Sequence, residues 1–383
     1  MSVTRAAGFR ASGIAAGIKK SGDLDLALVV NDGPLQAAAG VFTRNRVSAA
    51  PVQWSRQVLK EGNLRAIVLN SGGANACTGP DGFADTHRSA EKVAEVLGCG
   101  PIEVAVCSTG LIGERLPMPE LLAGIEMAAA GLSVSGCASA AQAIMTTDSV
   151  SKTAEARGNG FTVGGMAKGA GMLAPGLATM LVVLTTDAVA DAAELDAVLR
   201  TATSRTFDRI DSDGCMSTND SVLLLASGAS GVTPTATELA IAVEFVCAAL
   251  ARALIADAEG ATKDIRIDVI NAATEADAVE AGRAVSRSNL LKCAVHGADP
   301  NWGRVLAAVG TTGAAFEPDR LGVAINDVWV CREGMPHADR SLVDMSGREV
   351  SITVDLAAGD ASATIWSNDL TAIYVHENSA YSS

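Results

Sequence analysis

The sequence predicts a mixed α/β fold, built from many short strands and from helices with one apolar face. Continuous apolar runs with a β-branched bias, such as residues 179–184 (TMLVVL) and 221–226 (SVLLLA), are typical of buried strands. Apolar residues at helical spacing, as in residues 84–97, are typical of helices that pack on a core. With 383 residues, 49% of them apolar, the chain has room for two or three domain-sized units.

Strands are predicted where apolar runs end at turns rich in glycine, asparagine, aspartate or proline. The first two are joined by the turn Asp32-Gly33-Pro34, and the third ends in the turn 70–79 (NSGGANACTG). The predicted strands lie at 24–31, 36–43, 64–69, 102–107, 151–156, 160–165, 179–184, 221–226, 265–271, 321–331, 349–356 and 361–366.

Helices are predicted where apolar residues recur three or four positions apart, as alanine, valine and leucine do in residues 84–97. Residues 236–256 are apolar almost throughout, which indicates a core helix, and the Asp-Pro-Asn turn at 299–301 leads into the last predicted helix. The predicted helices lie at 84–97, 117–131, 136–145, 191–206, 236–256 and from 303 onward.

Composition excludes several classes of protein. The net charge of −14 repels phosphate backbones, and 3% aromatic residues offer little for base stacking, so nucleic-acid binding is not expected. No apolar run is expected to approach the roughly 20 residues that span a bilayer. Residues 1–20 lack the uninterrupted apolar stretch of a secretory signal. We therefore expect a soluble, cytoplasmic protein.

The eight cysteines and four histidines show no metal-binding spacing. Neither a CxxC pair nor an HExxH motif occurs, so no metal site is predicted. Surroundings such as VAVCSTG and EFVCAAL indicate cysteines that act as small buried hydrophobic residues in a reducing compartment. The acidic segment 211–220 (DSDGCMSTND) lacks the spacing of an EF-hand Ca²⁺ loop and is interpreted as structural.

The chain is organised around the stretch 164–184 (GGMAKGAGMLAPGLATMLVVL). Its first half, 164–176, contains five glycines and one proline and is predicted to be irregular, because glycine tolerates positive φ and proline cannot pair in a ladder. Its second half begins a buried strand at Thr179. One interpretation is an ordinary glycine loop before a strand. The other is a threonine hydroxyl placed where the chain can cut its own peptide bond.

Ser108-Thr109-Gly110 follows the strand predicted at 102–107. One interpretation is a plain turn between this strand and the next helix. The other is that the strand end presents a hydroxyl and a glycine N–H side by side. Two such donors aimed at one point form an oxyanion hole.

Residues 168–181 (KGAGMLAPGLATML) resemble the self-cleavage segment of the ornithine acetyltransferase, or glutamate N-acetyltransferase, family. The resemblance extends over nearly the whole chain through motifs in the expected order: 70–76 (NSGGANA), 108–110 (STG), 146–148 (TTD), 257–263 (DAEGATK), 296–304 (HGADPNWGR) and the C-terminal tail. Departures are Gly73 for an asparagine, Ala258 for a glycine, and 149–152 (SVSK) for Thr-x-Pro-Lys.

The resemblance implies an enzyme that moves the acetyl group of N2-acetyl-L-ornithine to L-glutamate in arginine biosynthesis. It implies self-cleavage between Ala178 and Thr179, with Thr179 as the nucleophile and with Thr109 and Gly110 as the oxyanion hole. The residues that it implies for substrate binding are Thr147, Lys168, Thr179, Glu259, Asn378 and Ser383. No cofactor is implied, because an acyl-enzyme carries the group. Activity as an amino-acid N-acetyltransferase stays open.

The resemblance also implies a layered helix–sheet–sheet–helix architecture like that of enzymes with an N-terminal nucleophile. Cleavage gives the segments 1–178 and 179–383, co-folded as alpha and beta chains. The implied assembly is a heterotetramer, a homo-oligomer of the cleaved heterodimer. The other partners are the small-molecule substrates, with no nucleic acid and no membrane.

Two other functions share parts of this pattern. In a self-processed amidase or aminopeptidase, water resolves the acyl-enzyme, whereas Glu259, Asn378 and Ser383 favour an amino-acid acceptor. An uncleaved binding protein with the same fold gives one intact band on a denaturing gel.

Overall fold

A computed structural model of the chain describes residues 2–174 and 180–380. The described residues form two compact units. The first takes its residues from Met1–Asp208 and Cys215–Asp257, and the second from Arg209–Gly214 and Ala258–Ser382. The chain therefore passes briefly through the second unit before it completes the first.

Two sheets form the centre of the first unit. The four-stranded sheet has the order β1 (Phe9–Ile14), β2 (Leu26–Asn31), β4 (Ala66–Asn70) and β5 (Val104–Ser108). The five-stranded sheet has the order β3 (Ala37–Phe42), β9 (Ser221–Ala226), β8 (Leu181–Thr186), β7 (Thr162–Lys168) and β6 (Lys152–Arg157). The pairs β4–β5 and β8–β9 are parallel, and the other neighbouring strands are antiparallel.

Helices cover both sheets of this unit. α3 (Met118–Ala130) and α4 (Cys137–Ala143) pack on β1 and β2, and α1 (Ala50–Val58) and α2 (Gly79–Leu97) lie along β5. α5 (Ala192–Arg205) and α6 (Ala236–Ala256) pack on the five-stranded sheet. Side chains from both sheets, including Leu28, Leu69, Leu181, Val183 and Leu225, share one core. The implied helix–sheet–sheet–helix layering is confirmed in this unit.

The glycine-rich stretch 164–176 is not irregular throughout, so this sequence prediction is wrong. Its first five residues belong to β7, where they are buried between β6 and β8. A Cβ added to Gly164 would lie 2.2 Å from the carbonyl oxygen of Ser2, and one added to Gly165 would lie 2.8 Å from Val246 on α6. These glycines allow neighbouring chain to approach both faces of the strand.

The second unit contains one six-stranded sheet. Its order is β13 (Met335–Pro336), β12 (Val328–Arg332), β11 (Gly322–Ile325), β14 (Glu349–Asp355), β10 (Asp264–Ala272) and β15 (Ala361–Asn368). The helices α7 (Glu275–Ser286), α8 (Asn289–His296) and α9 (Trp302–Val309) contribute to its core, and α10 (Ala372–Ala380) follows the last strand. Burial alternates along β14, as expected for a sheet covered on one face.

The single strand predicted at 321–331 is a hairpin of β11 and β12. The turn residues Asn326 and Asp327 have φ values of 45° and 65°. A two-residue hairpin turn needs this left-handed conformation, which asparagine and aspartate tolerate. The sequence prediction was wrong because it gave these two polar residues to the strand.

Helix α6 contradicts the expectation that no segment is long and apolar enough to span a membrane. Among the described helices it passes that test by length and composition, with 21 residues and a mean hydropathy of 2.2. Half of its most apolar stretch is buried inside the protein, including Val243, Val246 and Leu250. Core helices of globular proteins have the same pattern of burial.

The cysteines are less buried than the sequence predicts. Cys107, Cys247 and Cys331 are buried, whereas Cys77, Cys215 and Cys293 are exposed. Burial raises the pKa of the Cys107 thiol to about 12, which makes it unreactive at neutral pH. The prediction of buried cysteines therefore holds for only some of the eight.

Candidate active site

Thr109 and Gly110 follow the carboxyl end of β5. The Thr109 N–H donates to the carbonyl oxygen of Asn70, which ends the neighbouring strand β4, across 3.0 Å. Thr109 is only 2% exposed. Gly110 has a φ of 130°, and an added Cβ would lie 2.8 Å from the Gly73 nitrogen, so only glycine fits there. The hydroxyl and the glycine are thus held by two neighbouring turns.

Lys168 ends β7 in the other sheet of this unit and is 1% exposed. Its Nζ donates to Thr109 Oγ1 across 3.2 Å. An ammonium group has donors and no acceptor, so the Thr109 oxygen accepts and its own O–H remains available to donate. The contact brings two sequence-predicted site residues from different sheets into one buried place.

Thr147 is half-buried in the turn that follows α4. The buried side chain of Lys152 holds this turn in place through Asp148. Lys152 Nζ donates to Asp148 Oδ1 and to Asp257 Oδ2, each across 2.6 Å. Asp257 directly follows α6 and also accepts the Ser149 N–H across 3.0 Å. The turn that carries Thr147 is therefore fixed to a core helix.

Asp148 also balances the charge of Lys168. The Gly169 N–H, next to Lys168 in sequence, donates to Asp148 Oδ1 across 2.6 Å. Burial alone would raise the pKa of Asp148, but Lys168, Lys152 and the Gly169 N–H outweigh it and lower that pKa below its ordinary value. Asp148 is therefore ionised at neutral pH.

Asp220 holds Met180, where the described chain resumes. The Met180 N–H donates to Asp220 Oδ1 across 3.0 Å, and the Met180 carbonyl accepts from the Ser221 N–H across 3.1 Å. Asp220 is fully buried, and burial raises its pKa well above the ordinary value, against the opposing effects of the Met180 N–H and Lys168. Met180, the residue before β8, is thus held by a buried carboxyl group.

Asn219, the residue before Asp220, hydrogen-bonds to the turn after β4 and to the end of β5. Its Nδ2 donates to the carbonyl oxygens of Ala74 and Ser108, across 2.6 and 2.8 Å. The interpretation of 211–220 as structural therefore suits Asn219 but misses Asp220, which contributes a titratable group. The sequence signal for Asp220 is an aspartate immediately before the buried strand SVLLLA.

Glu259 and Asn378 lie in the second unit, where the structure brings them together. Asn378 Nδ2 on α10 donates to Glu259 Oε2 across 3.0 Å. Gly260 has a φ of 62°, and an added Cβ would lie 2.3 Å from the Tyr374 nitrogen, so the loop after Glu259 packs directly on α10.

Ala178, Thr179 and Ser383 lie outside the described residues, and their predicted roles stay predictions. The strands on either side of the gap are paired, with Lys168 of β7 opposite Leu181 of β8. Lys168, whose Nζ contacts Thr109, is therefore paired in the sheet with a residue on the far side of the predicted cut.

The sequence matches one protein family along almost all of its length. The model of the ArgJ family matches residues 10–383. Arginine biosynthesis bifunctional protein ArgJ from Streptomyces coelicolor is 69% identical, and its namesake from Streptomyces avermitilis is 70% identical, each match covering 100% of both chains. The chain belongs to the ArgJ family.

Membership of the ArgJ family confirms the prediction of an arginine-biosynthesis enzyme of the ornithine acetyltransferase type. Among solved structures, ornithine acetyltransferase complexed with ornithine from Mycobacterium tuberculosis is 57% identical, and the match covers 47% of this chain and 96% of that chain with a TM-score of 0.43. In this ArgJ-family chain, the Thr109–Lys168 contact gathers hydrogen-bond donors and a buried positive charge. Such a place suits a reaction that develops negative charge on oxygen.

Proposed function

We propose that this protein transfers the acetyl group of N2-acetyl-L-ornithine to L-glutamate through an acetyl ester on Thr179. Support comes from membership of the ArgJ family and from the hydrogen bond between Lys168 Nζ and Thr109 Oγ1. That bond is the observation that carries the proposal, because it joins Thr109 to Lys168, which pairs in the sheet with Leu181 on the far side of the predicted cut.

Thr109 and Gly110 form the oxyanion hole in this proposal. The lysine bond occupies the acceptor side of the Thr109 hydroxyl, which leaves its hydrogen for the carbonyl oxygen of the acetyl group. Both donors are fixed before substrate binds, since Thr109 is buried and Gly110 is confined by Gly73. Preorganised donors stabilise the developing charge without reorganisation during the reaction.

Thr179 becomes a nucleophile after self-cleavage of the Ala178–Thr179 bond. Its hydroxyl first attacks the preceding carbonyl in an N→O acyl shift, and water then hydrolyses the ester. The freed α-amine, with an ordinary pKa of about 7.7–8.0, is partly unprotonated at neutral pH and accepts the hydroxyl proton. The threonine oxygen then bonds to the acetyl carbon, the bond to the ornithine nitrogen breaks, and that nitrogen leaves with the proton.

Substrate binding requires groups of both signs, because an amino acid carries an ammonium and a carboxylate. We assign Thr147, Lys168, Thr179, Glu259, Asn378 and Ser383 to this role. Lys168 supplies a buried positive charge, and Glu259 supplies an acceptor that Asn378 orients. The glutamate amine then attacks the acetyl-threonine ester and restores the free hydroxyl.

The segments 1–178 and 179–383 remain one folded body after cleavage in this proposal. Support comes from the first unit, where β7 before the cut pairs with β8 after it. We further propose a cytoplasmic heterotetramer, assembled from two cleaved heterodimers.

The test is an acetyl-transfer assay with N2-acetyl-L-ornithine and L-glutamate, run with wild type and with Thr179→Ala and repeated with acetyl-coenzyme A as donor. Wild type should form N-acetyl-glutamate and ornithine in equal amounts, and Thr179→Ala should form neither. Release of free acetate independent of glutamate would instead indicate the amidase or aminopeptidase alternative.

A further inference from the structure

Asp369 lies directly after β15 in the second unit, and its carboxyl group is buried. Oδ1 accepts the backbone N–H groups of Thr262 and Lys263, each across 2.9 Å. Oδ2 accepts the Thr262 hydroxyl and lies 2.9 Å from Nδ1 of His296. Burial alone would raise the pKa of Asp369, but these hydrogen bonds outweigh it and lower that pKa below its ordinary value. Since an ionised carboxylate only accepts hydrogen bonds, the His296 nitrogen donates.

The loop that Asp369 holds carries Glu259. Residues 259–263 lie between α6 and β10 in the chain, and Asp369 binds the end of this loop that enters β10. The Thr371 hydroxyl, two positions after Asp369, donates to the Gly260 carbonyl across 2.7 Å. Asp369 and Thr371 therefore fix the loop at both ends.

The segment 369–371 also begins helix α10, which carries Asn378. Thr371 Oγ1 accepts the Tyr374 N–H across 2.9 Å in the first turn of this helix. Asn378 Nδ2 then donates to Glu259 Oε2 across 3.0 Å. The two members of this pair are therefore held by the same short segment, one through the loop and the other through the helix.

We propose that Asp369 is a positioning residue, which holds the 259–263 loop in the conformation in which Glu259 contacts the side-chain ammonium group of N2-acetyl-L-ornithine. This role rests on the proposed function, which assigns Glu259 to substrate binding. Asp369 acts through Glu259, because its own carboxyl group is buried and bonded to the loop. A loop that is ordered before the substrate arrives increases affinity, since binding then costs less conformational entropy.

The first test is Asp369→Asn, assayed with N2-acetyl-L-ornithine as donor and L-glutamate as acceptor. The amide keeps one acceptor oxygen but places an NH₂ donor where the Thr262 hydroxyl and His296 also donate. KM for the donor should rise about tenfold with kcat little changed, because charge-assisted hydrogen bonds that order the loop are lost. A donor KM equal to that of wild type, or a loss confined to kcat, would overturn the positioning role.

The second test replaces the donor by p-nitrophenyl acetate, which has no ammonium group. The Thr179 oxygen takes the acetyl group and p-nitrophenolate leaves, which absorbance records. Because Glu259 has no charged partner in this donor, Asp369→Asn should lower its kcat/KM far less than that of N2-acetyl-L-ornithine. Equal losses with the two donors would indicate a general disruption of the enzyme and contradict the role.

Asp355→Asn is the matched control. Asp355 ends β14 in the same sheet and likewise accepts a backbone N–H, that of Ala357, across 2.9 Å. β10 lies beside the end of β15 at Asp264 and beside Asp355 at Ile270, so the two aspartates are roughly 20 Å apart. The donor KM of Asp355→Asn should equal that of wild type. A comparable rise in this variant would attribute the effect to the sheet as a whole and overturn the role of Asp369.

A second pair of variants tests the same contact if Asp369→Asn does not fold. Thr262→Val removes the hydroxyl that donates to Asp369, whereas Thr262→Ser keeps it. Lys263 Nζ donates to the Met345 carbonyl across 2.7 Å, which keeps the end of the loop attached in both variants. The donor KM should rise in the valine variant and stay near that of wild type in the serine variant. Equal donor KM values in the two would contradict the role.

Glu259→Gln separates the positioning role from the function on which it rests. This variant removes the charge of the contacting residue itself and should also raise the donor KM. A wild-type donor KM in Glu259→Gln would overturn the assignment of Glu259 to substrate binding, and the role of Asp369 with it. A raised donor KM in Glu259→Gln together with an unchanged one in Asp369→Asn would overturn the positioning role alone.

Discussion

At the scale of single residues, the bond between Lys168 and Thr109 determines what the site can do. The buried ammonium donates to the hydroxyl oxygen, so the hydroxyl is fixed as a donor toward its other side. Asp148 supplies negative charge beside Lys168, and burial pushes the pKa values of both Asp148 and Asp220 upward. Of these two acids, only Asp148 has contacts that outweigh burial, so its pKa is below the ordinary value.

Removing the Thr109 hydroxyl should slow the chemical step. We expect Thr109→Ala to lower kcat by about 10²–10³, or roughly 2.7–4 kcal/mol, with KM little changed, because an oxyanion-hole donor acts mainly in the transition state. Steady-state kinetics with N2-acetyl-L-ornithine and L-glutamate measure this effect. Thr109→Ser keeps the hydroxyl and should retain most of the activity. Full kcat in the alanine variant would place the hole elsewhere.

Asp220 should make stability depend on pH in a defined direction. Its folded pKa is raised above the ordinary 3.8, so the folded state binds this proton more tightly than the unfolded chain. The contribution of the Asp220 proton to the free energy of unfolding therefore falls as the pH rises from about 4 through the raised pKa. Asp220→Asn should therefore gain stability relative to wild type as the pH rises above about 4, measured by urea unfolding at a series of pH values. Parallel pH profiles of the two proteins would contradict the assignment.

At the scale of elements, β7 shows how glycines can serve packing in a strand. Gly164 and Gly165 are buried, with the chain near Ser2 on one face and α6 on the other. Thr185 Oγ1 on β8 donates to the Val3 carbonyl and holds the N-terminal segment in place. A side chain on Gly164 would have to displace that segment.

Gly164→Ala should therefore lower the free energy of unfolding by roughly 1–3 kcal/mol, as overpacking in a core does. Gly347→Ala is the control, since nothing lies within 4 Å of its added Cβ, and it should stay within about 0.5 kcal/mol of wild type. Urea unfolding of the two variants gives the comparison. Equal free energies of unfolding for the two variants would show that the N-terminal segment can move away from Gly164→Ala without loss of stability.

Sequence patterns predicted the elements with strong apolar periodicity and missed those without it. Helix α6 and strand β9 have the predicted bounds, because a long apolar run leaves few alternatives. Helix α7 has small residues on its buried face, and its moderate amphipathicity gives no clear signal. The strands β2 and β3, predicted as neighbours in sequence, lie in different sheets, which a local turn cannot reveal.

For the site, sequence motifs identified Thr109, Gly110 and Lys168 but not the groups that hold them. Lys152 bridges Asp148 and Asp257, which are separated by 109 positions in the chain. Such a bridge depends on tertiary structure, and no spacing rule predicts it. The short motif around each residue indicates its chemistry, whereas its partners come from the packing of the sheets.

At the scale of the whole molecule, the first unit combines chain from both sides of the predicted cut. Strands β8 and β9 and helices α5 and α6 follow residue 179, yet they complete the sheet that β3, β6 and β7 begin. Cleavage should therefore leave the two fragments bound. N-terminal sequencing should find a fragment that begins Thr179-Met180-Leu181, and Thr179→Ala should remain one chain. Two fragments from the alanine variant would remove Thr179 from the cleavage reaction.

The acetyl ester proposed on Thr179 changes the mass of the fragment 179–383, which mass spectrometry measures. Enzyme mixed with N2-acetyl-L-ornithine alone should carry one acetyl group on Thr179, and addition of L-glutamate should remove it as N-acetyl-glutamate forms. Parallel lines in double-reciprocal plots should accompany this result, since ornithine leaves before glutamate reacts. An unmodified fragment together with intersecting lines would exclude an acetyl ester on Thr179 as the intermediate.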